Sequence, residues 1–197
     1  GYTYHGNFRK TRVGGGIGFL VRSRVVFKPR EDLDIFNDHI ESTFIEIPYS
    51  AAGSNTKTKA IIGVIYRPPG ANFDSFLTSL GTILIQLRVE DKPCFMMGDF
   101  NINLMNHDSH SLTNDFLDLM YTSTFYPLIN KPTRITAYSS TLIDNIFHNS
   151  FQNNQLTGIL YTDVSDHLPV FVLSKDGMVH SGEPISIEYR HFNDRSI

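Results

Sequence analysis

The feature that most constrains this chain is a succession of short apolar runs, each bounded by turn-forming or polar residues, interrupted only twice by helical spacing. Residues 17–27 (IGFLVRSRVVF) follow a triple glycine with alternating and β-branched positions, and residues 43–49 (TFIEIPY) alternate with a period of two. Both predict strands, paired with one another. Residues 59–69 (KAIIGVIYRPP) form a nearly continuous apolar strand stopped by two prolines, which cannot continue a ladder. Residues 93–101 (PCFMMGDFN) return as a buried strand, and 141–147 (TLIDNIF), 156–161 (LTGILY) and 168–173 (LPVFVL) predict further strands. Between them, Phe76, Leu77, Leu80, Ile83, Leu84 and Leu87 mark a helix over 73–88. Leu112, Phe116, Leu119 and Met120 mark a second over 112–122, with Ser111 or Thr113 as its cap. This order predicts an α/β fold, with sheets packed face to face and helices outside.

The chain has 197 residues, 41% hydrophobic and 19% charged, enough for one well-formed core. The single cysteine, Cys94, lies in an apolar run, which excludes a disulfide framework and a cysteine-built zinc site and fits a reducing compartment. No segment approaches the roughly 18 consecutive apolar residues of a membrane span, and no signal-peptide pattern opens the chain. A net charge of −3 gives no global signature of nucleic-acid binding. The distribution is uneven, however. Residues 1–30 hold Arg9, Lys10, Arg12, Arg22, Arg24, Lys28 and Arg30 without an acid, and residues 31–46 hold Glu31, Asp32, Asp34, Asp38, Glu41 and Glu46 without a Lys or Arg. A phosphate-facing basic segment and a solvated strand-and-loop face both account for this. After Leu173 the pattern decays into polar, Gly/Pro-containing sequence, which predicts a domain over 1–174 and a linker over 175–197.

Four strand ends carry polar side chains: Tyr66 and Arg67; Asp99 and Asn101 in MMGDFN; Asp144 in TLIDNIF; and Ser165, Asp166 and His167 just before LPVFVL. Taken singly, Gly-Asp-Phe-Asn is also a favourable turn, Asp166-His167 a turn pair, and Asp144 a buried acid with a neighbouring donor. Together they supply what phosphodiester hydrolysis requires: carboxylates for a metal, a group that aims water at phosphorus, and donors for charge on the phosphoryl oxygens.

In order and spacing, GVIYRPP, MMGDFNIN, TLIDNIF and SDHLPV resemble the strand-end motifs of the endonuclease/exonuclease/phosphatase superfamily. GGGIGFLV and YRPPG are most similar to the endonuclease domain of non-LTR retrotransposons, long interspersed elements whose nuclease nicks target DNA to prime reverse transcription. The resemblance spans roughly residues 10–173. It implies a deoxyribonuclease-like four-layer fold, Mg²⁺ or Mn²⁺ as cofactor, DNA as partner without a membrane, intracellular and nuclear action, and a downstream reverse transcriptase domain. It also implies roles. Asp99 orients or deprotonates the attacking water, Asn101 fixes that geometry, and Tyr66 contacts the phosphate. Asp144 accepts a hydrogen bond from His167, whose other ring nitrogen donates to the scissile phosphate, and Asp166 holds the metal. Asn101 and His167 are thereby phosphate contacts as well.

One departure from that pattern concerns the amino terminus. The family carries an asparagine strand and a strand ending in a metal-binding glutamate upstream of the glycine turn. Here thirteen residues precede Gly14 and none is acidic, while Glu41 and Glu46 lie after it. The expectation is a chain without its first strands, with a neighbouring edge and part of one sheet uncovered. A catalytically inactive remnant, or another phosphatase or phosphodiesterase of the superfamily, is the alternative reading.

Overall fold

A computed structural model describes residues 1–7, 16–50, 57–150 and 155–174. The elements run β1 Tyr2–Asn7, β2 Ile17–Arg22, β3 Lys28–Pro29, β4 Glu41–Ser50, β5 Lys57–Tyr66, α1 Phe73–Glu90, β6 Cys94–Asp99, α2 Ser111–Thr122, β7 Tyr126–Pro127, β8 Arg134–Ile135, β9 Ser140–Thr141, β10 Asp144–His148, β11 Gln155–Ile159 and β12 Val170–Ser174. The main sheet has six strands in the order β3-β4-β5-β6-β10-β7. β5 and β6 are its parallel pair, and the helix α1 forms the crossover between them. The hairpins β1–β2, β8–β9 and β11–β12 form separate two-stranded sheets.

Register sorts the main sheet into two faces. Phe44, Ile61, Ile65, Met96 and Phe147 are fully buried on the face that α1 and α2 cover, and they join one core with Phe76, Leu80, Leu84, Phe116 and Met120 from those helices. Phe100, Phe116 and Phe147 meet with centroids 5.2–5.6 Å apart, two of the pairs edge to face. The opposite face carries Ile62, Val64 and Met97, which are only half-buried; β2 lies near β4 and β5, and β12 near β10. This is an α/β sandwich. Both helices belong to one face, so the layers in view are helices, main sheet and hairpins.

Several elements differ from the sequence expectation. The strand beginning at Ile17 ends at Arg22 and pairs with β1, not with 43–49. The stretch YTYHGN that forms β1 lacks apolar alternation, because none of its residues is buried, and so it carries no periodic signal. β4 takes β3 and β5 instead. TLIDNIF is not one strand. Leu142 and Ile143 turn inward between β9 and β10, their carbonyls accepting from Leu104 N and Phe100 N at 3.0 and 2.9 Å, and Asp144 therefore opens β10. In α2, Leu117 is buried where Leu112 was expected. Thr113 turns its hydroxyl to His110 Nδ1 at 3.0 Å, and no side chain caps the helix. Of the basic amino-terminal residues, Arg30 is buried among acids and cannot meet phosphate. Arg9, Lys10, Arg12, the triple glycine's first two residues and the linker expected over 175–197 lie outside the described residues. Among the described residues, no helix is long and apolar enough to cross a membrane.

Candidate active site

Four strands of the main sheet bring one polar residue each into a single row. Glu41 of β4 stands opposite Tyr66 of β5, Tyr66 opposite Asp99 of β6, and Asp99 opposite Asp144 of β10. Directly opposed residues share a face, so Tyr66, Asp99 and Asp144 lie side by side on the face away from the helices. A strand is therefore ended by a polar side chain here because the sheet itself supplies the spacing.

Gly98 makes the row possible. Its φ is +149°, and a Cβ there would sit 1.8 Å from the Ile65 carbonyl oxygen of β5. Only glycine lets β6 approach β5 this closely in that conformation. Gly98→Ala is expected to cost about 3 kcal/mol; a chemical-denaturation midpoint equal to that of the parent protein would contradict this close approach.

Beyond Gly98, Asn101 adopts a left-handed conformation (φ +49°), which Asn tolerates better than most residues. Its backbone N–H donates to Asp99 Oδ1 at 2.9 Å, and its Nδ2 donates to Asp99 Oδ2 at 3.1 Å and to the Arg67 carbonyl at 2.9 Å. The turn reading of Gly-Asp-Phe-Asn holds in the structure, and within that turn Asn101 orients the Asp99 carboxylate. Burial pushes the Asp99 carboxyl above its ordinary pKa, and nearby Asp144 adds to that, while the Asn101 amide, His167 and Arg134 work against it.

Asp144 and His167 meet as the motifs suggest. His167 Nδ1 lies 3.1 Å from both Asp144 oxygens, and since a carboxylate only accepts, Nδ1 carries the proton. Nε2 is left to face outward. Thr133 donates from Oγ1 to Asp144 Oδ2 at 2.7 Å.

The structure separates Asp166 from this group. It is exposed, and its Oδ2 accepts from Arg134 Nε at 2.7 Å, an interaction that holds its carboxyl below the ordinary pKa. Arg67, the neighbour of Tyr66, is turned away from the row. Its guanidinium donates to the Asn101 and Ala71 carbonyls at 3.3 and 2.8 Å and lies over the rings of Phe73 and Phe76. It braces the loop, and burial lowers its pKa.

Thr133 and Arg134 gave no sequence signal. They sit in KPTRIT, a stretch with neither apolar period nor charge cluster, and only the hairpin β8–β9 places them.

Asp99, Asp144 and His167 each offer a ligand atom within 4.8 Å of the others. Two carboxylates and one imidazole suit a divalent cation. Asp166 stands outside this trio.

The model of the Endonuclease/Exonuclease/phosphatase family matches residues 1–167. No curated protein sequence matches the chain. Among solved structures, the endonuclease domain of TRAS1, a telomere-specific non-LTR retrotransposon, aligns with a TM-score of 0.63 at 11% identity, covering 88% of this chain and 80% of that one. The catalytic domain of Xenopus laevis APE2 aligns with a TM-score of 0.66 at 16% identity over 93% and 78%. A family protein from Leptotrichia buccalis aligns with a TM-score of 0.57 at 13% identity over 89% and 72%.

Proposed function

Because the chain belongs to the endonuclease/exonuclease/phosphatase family, we propose that it is a metal-dependent phosphodiesterase that nicks DNA, the endonuclease of a non-LTR retrotransposon, acting in the nucleus beside a reverse transcriptase domain of the same polyprotein. The observation that carries the reading is the convergence of Asp99, Asn101, Asp144 and His167 at one end of the main sheet. The retrotransposon assignment is supported by the motif resemblance and agrees with the shared fold of TRAS1.

Asp99, held by two donors from Asn101, accepts a proton from or orients a water aimed at phosphorus. A carboxyl of raised pKa suits proton acceptance near neutrality. His167 carries a proton on Nδ1 against Asp144, which leaves Nε2 to take a second proton and donate it to a phosphoryl oxygen. Tyr66, beside Asp99 in the row, contacts the phosphate in this reading. A divalent cation held by Asp99 and Asp144 would supply neutralisation of charge on those oxygens. Asp166, the metal ligand that the motif resemblance implies, stands outside that trio and would have to leave Arg134 to reach the cation.

The test is conversion of supercoiled plasmid to open circles with Mg²⁺ or Mn²⁺, beside release of phosphate from a soluble inositol phosphate. Nicking that EDTA stops is expected. Hydrolysis of the inositol phosphate without action on DNA would move the assignment to a phosphatase, and inactivity in both assays would favour the remnant.

A further inference from the structure

Thr133 is fully buried at 0% exposure, yet it bonds to both segments that carry the Asp144–His167 pair. Its hydroxyl accepts from the backbone N–H groups of Ile143 and Asp144 at 3.3 and 3.0 Å. A hydroxyl has one proton and two lone pairs, so with both lone pairs engaged the proton is directed to Asp144 Oδ2 at 2.7 Å. Its carbonyl accepts from Leu168 N at 2.6 Å, next to His167, and its own N–H donates to the Thr141 carbonyl at 2.9 Å. The neighbouring Ile135 N–H donates to the Asp166 carbonyl at 2.9 Å, so the segment that carries His167 is laid along β8 by backbone bonds on both sides of the histidine.

We infer that Thr133 is a positioning residue. Its hydroxyl fixes the rotation of the Asp144 carboxylate, and the carboxylate in turn holds the His167 ring in the tautomer protonated at Nδ1. Without the hydroxyl, Asp144 Oδ2 loses its Thr133 donor and the backbone N–H groups of Ile143 and Asp144 lose that acceptor. The carboxylate can then rotate toward those amides and leave the imidazole. The role of this tautomer in hydrolysis rests on the nuclease reading; the geometric role of Thr133 does not.

Thr133→Val keeps the shape and removes the hydroxyl, whereas Thr133→Ser keeps the hydroxyl and removes a methyl. The readout is the His167 Nδ1–H resonance and ring ¹⁵N shifts, assigned by their loss in His167→Gln, together with kcat and KM for nicking. Thr133→Val is expected to lose the Nδ1–H signal and to lower kcat about 10–100-fold with KM little changed, while Thr133→Ser keeps both near the parent values. A methyl-packing role predicts the reverse order. Retention of the Nδ1–H signal in Thr133→Val, or its loss in Thr133→Ser, would overturn the inference. If the valine variant does not fold, the serine result decides it. A parent chain that does not nick DNA would defeat the nuclease reading alone, and the spectral comparison would still settle Thr133.

Discussion

Replacing His167 by alanine is expected to lower plasmid nicking by about 10²–10⁴-fold, the range typical of losing a general acid or a charged donor at the scissile phosphate. The same change should move the thermal midpoint by no more than about 2–4 °C, which corresponds to about 1 kcal/mol in a chain of this size. The two halves follow from where the ring sits. It is half-buried at the end of the sheet, and its ring nitrogen bonds to Asp144, which keeps Thr133 as a donor when the ring is gone. Little packing is lost, while the outward Nε2 disappears. Asp99→Asn should show a similar loss in nicking for a different reason, because an amide cannot accept the water's proton; the loop should persist through Asn101 and Arg67. Nicking assays and melts on the same preparations would check both. A melt lowered by 10 °C or more in His167→Ala would make the histidine a structural residue, and undiminished nicking would remove it from the site.

The strands that bury their side chains were readable, and the reason is physical. In β5 and β6 both faces are at least partly covered, so the apolar run is continuous, and its end at Tyr66 or Asp99 is abrupt in the sequence because it is abrupt in space. The helix α1 was legible because its five buried positions fall on one stripe. β1 was missed since an exposed hairpin strand needs no apolar pattern, and β8 and β9, of two residues each, were missed because they are too short to have a period. The same holds at the site. Asp99, Asn101, Asp144 and His167 follow apolar runs or adjoin them, and so their positions could be inferred. Thr133 and Arg134 act through hairpin geometry and long-range contacts 11 and 32 residues away in sequence, to Asp144 and Asp166, which no local pattern encodes.

Three of the charged residues among the first 46, Arg30, Asp32 and Glu46, join Lys59, Glu90 and Lys92 in a network at the core margin, and it leads to the largest expected effect on stability. Arg30, 8% exposed in its side chain, donates to Asp32 from Nε and Nη2 at 2.9 and 2.6 Å and to Glu90 at the end of α1 from Nη1 at 3.1 Å and also from Nη2. Glu46 of β4, 6% exposed, accepts from Lys59 at 2.7 Å and Lys92 at 2.5 Å, and Lys92 also donates to Glu90 at 2.6 Å. The network ties the carboxyl end of α1 to the strands beneath it. Burial works to raise the Glu46 pKa, but the hydrogen bonds from Lys59 and Lys92 outweigh it and hold the carboxyl at about 2. Because this folded-state value lies below the unfolded one of 4.5, the stabilisation is present above pH 4.5 and disappears as pH falls through 2. A difference of that size is worth about 3 kcal/mol. Glu46→Gln, which leaves Lys92 half-buried without this partner, should destabilise by about 3–5 kcal/mol at pH 7. The variant's stability should also fall less than the parent's between pH 4.5 and pH 2. Lys59→Ala should cost only about 0–1 kcal/mol, since that lysine is 60% exposed and water replaces much of the interaction. Urea unfolding of the three proteins at pH 7 and along an acid series tests this ordering. Equal losses for Glu46→Gln and Lys59→Ala, with parallel acid profiles, would mean that solvent screens the network throughout and that α1 is held by its apolar stripe alone.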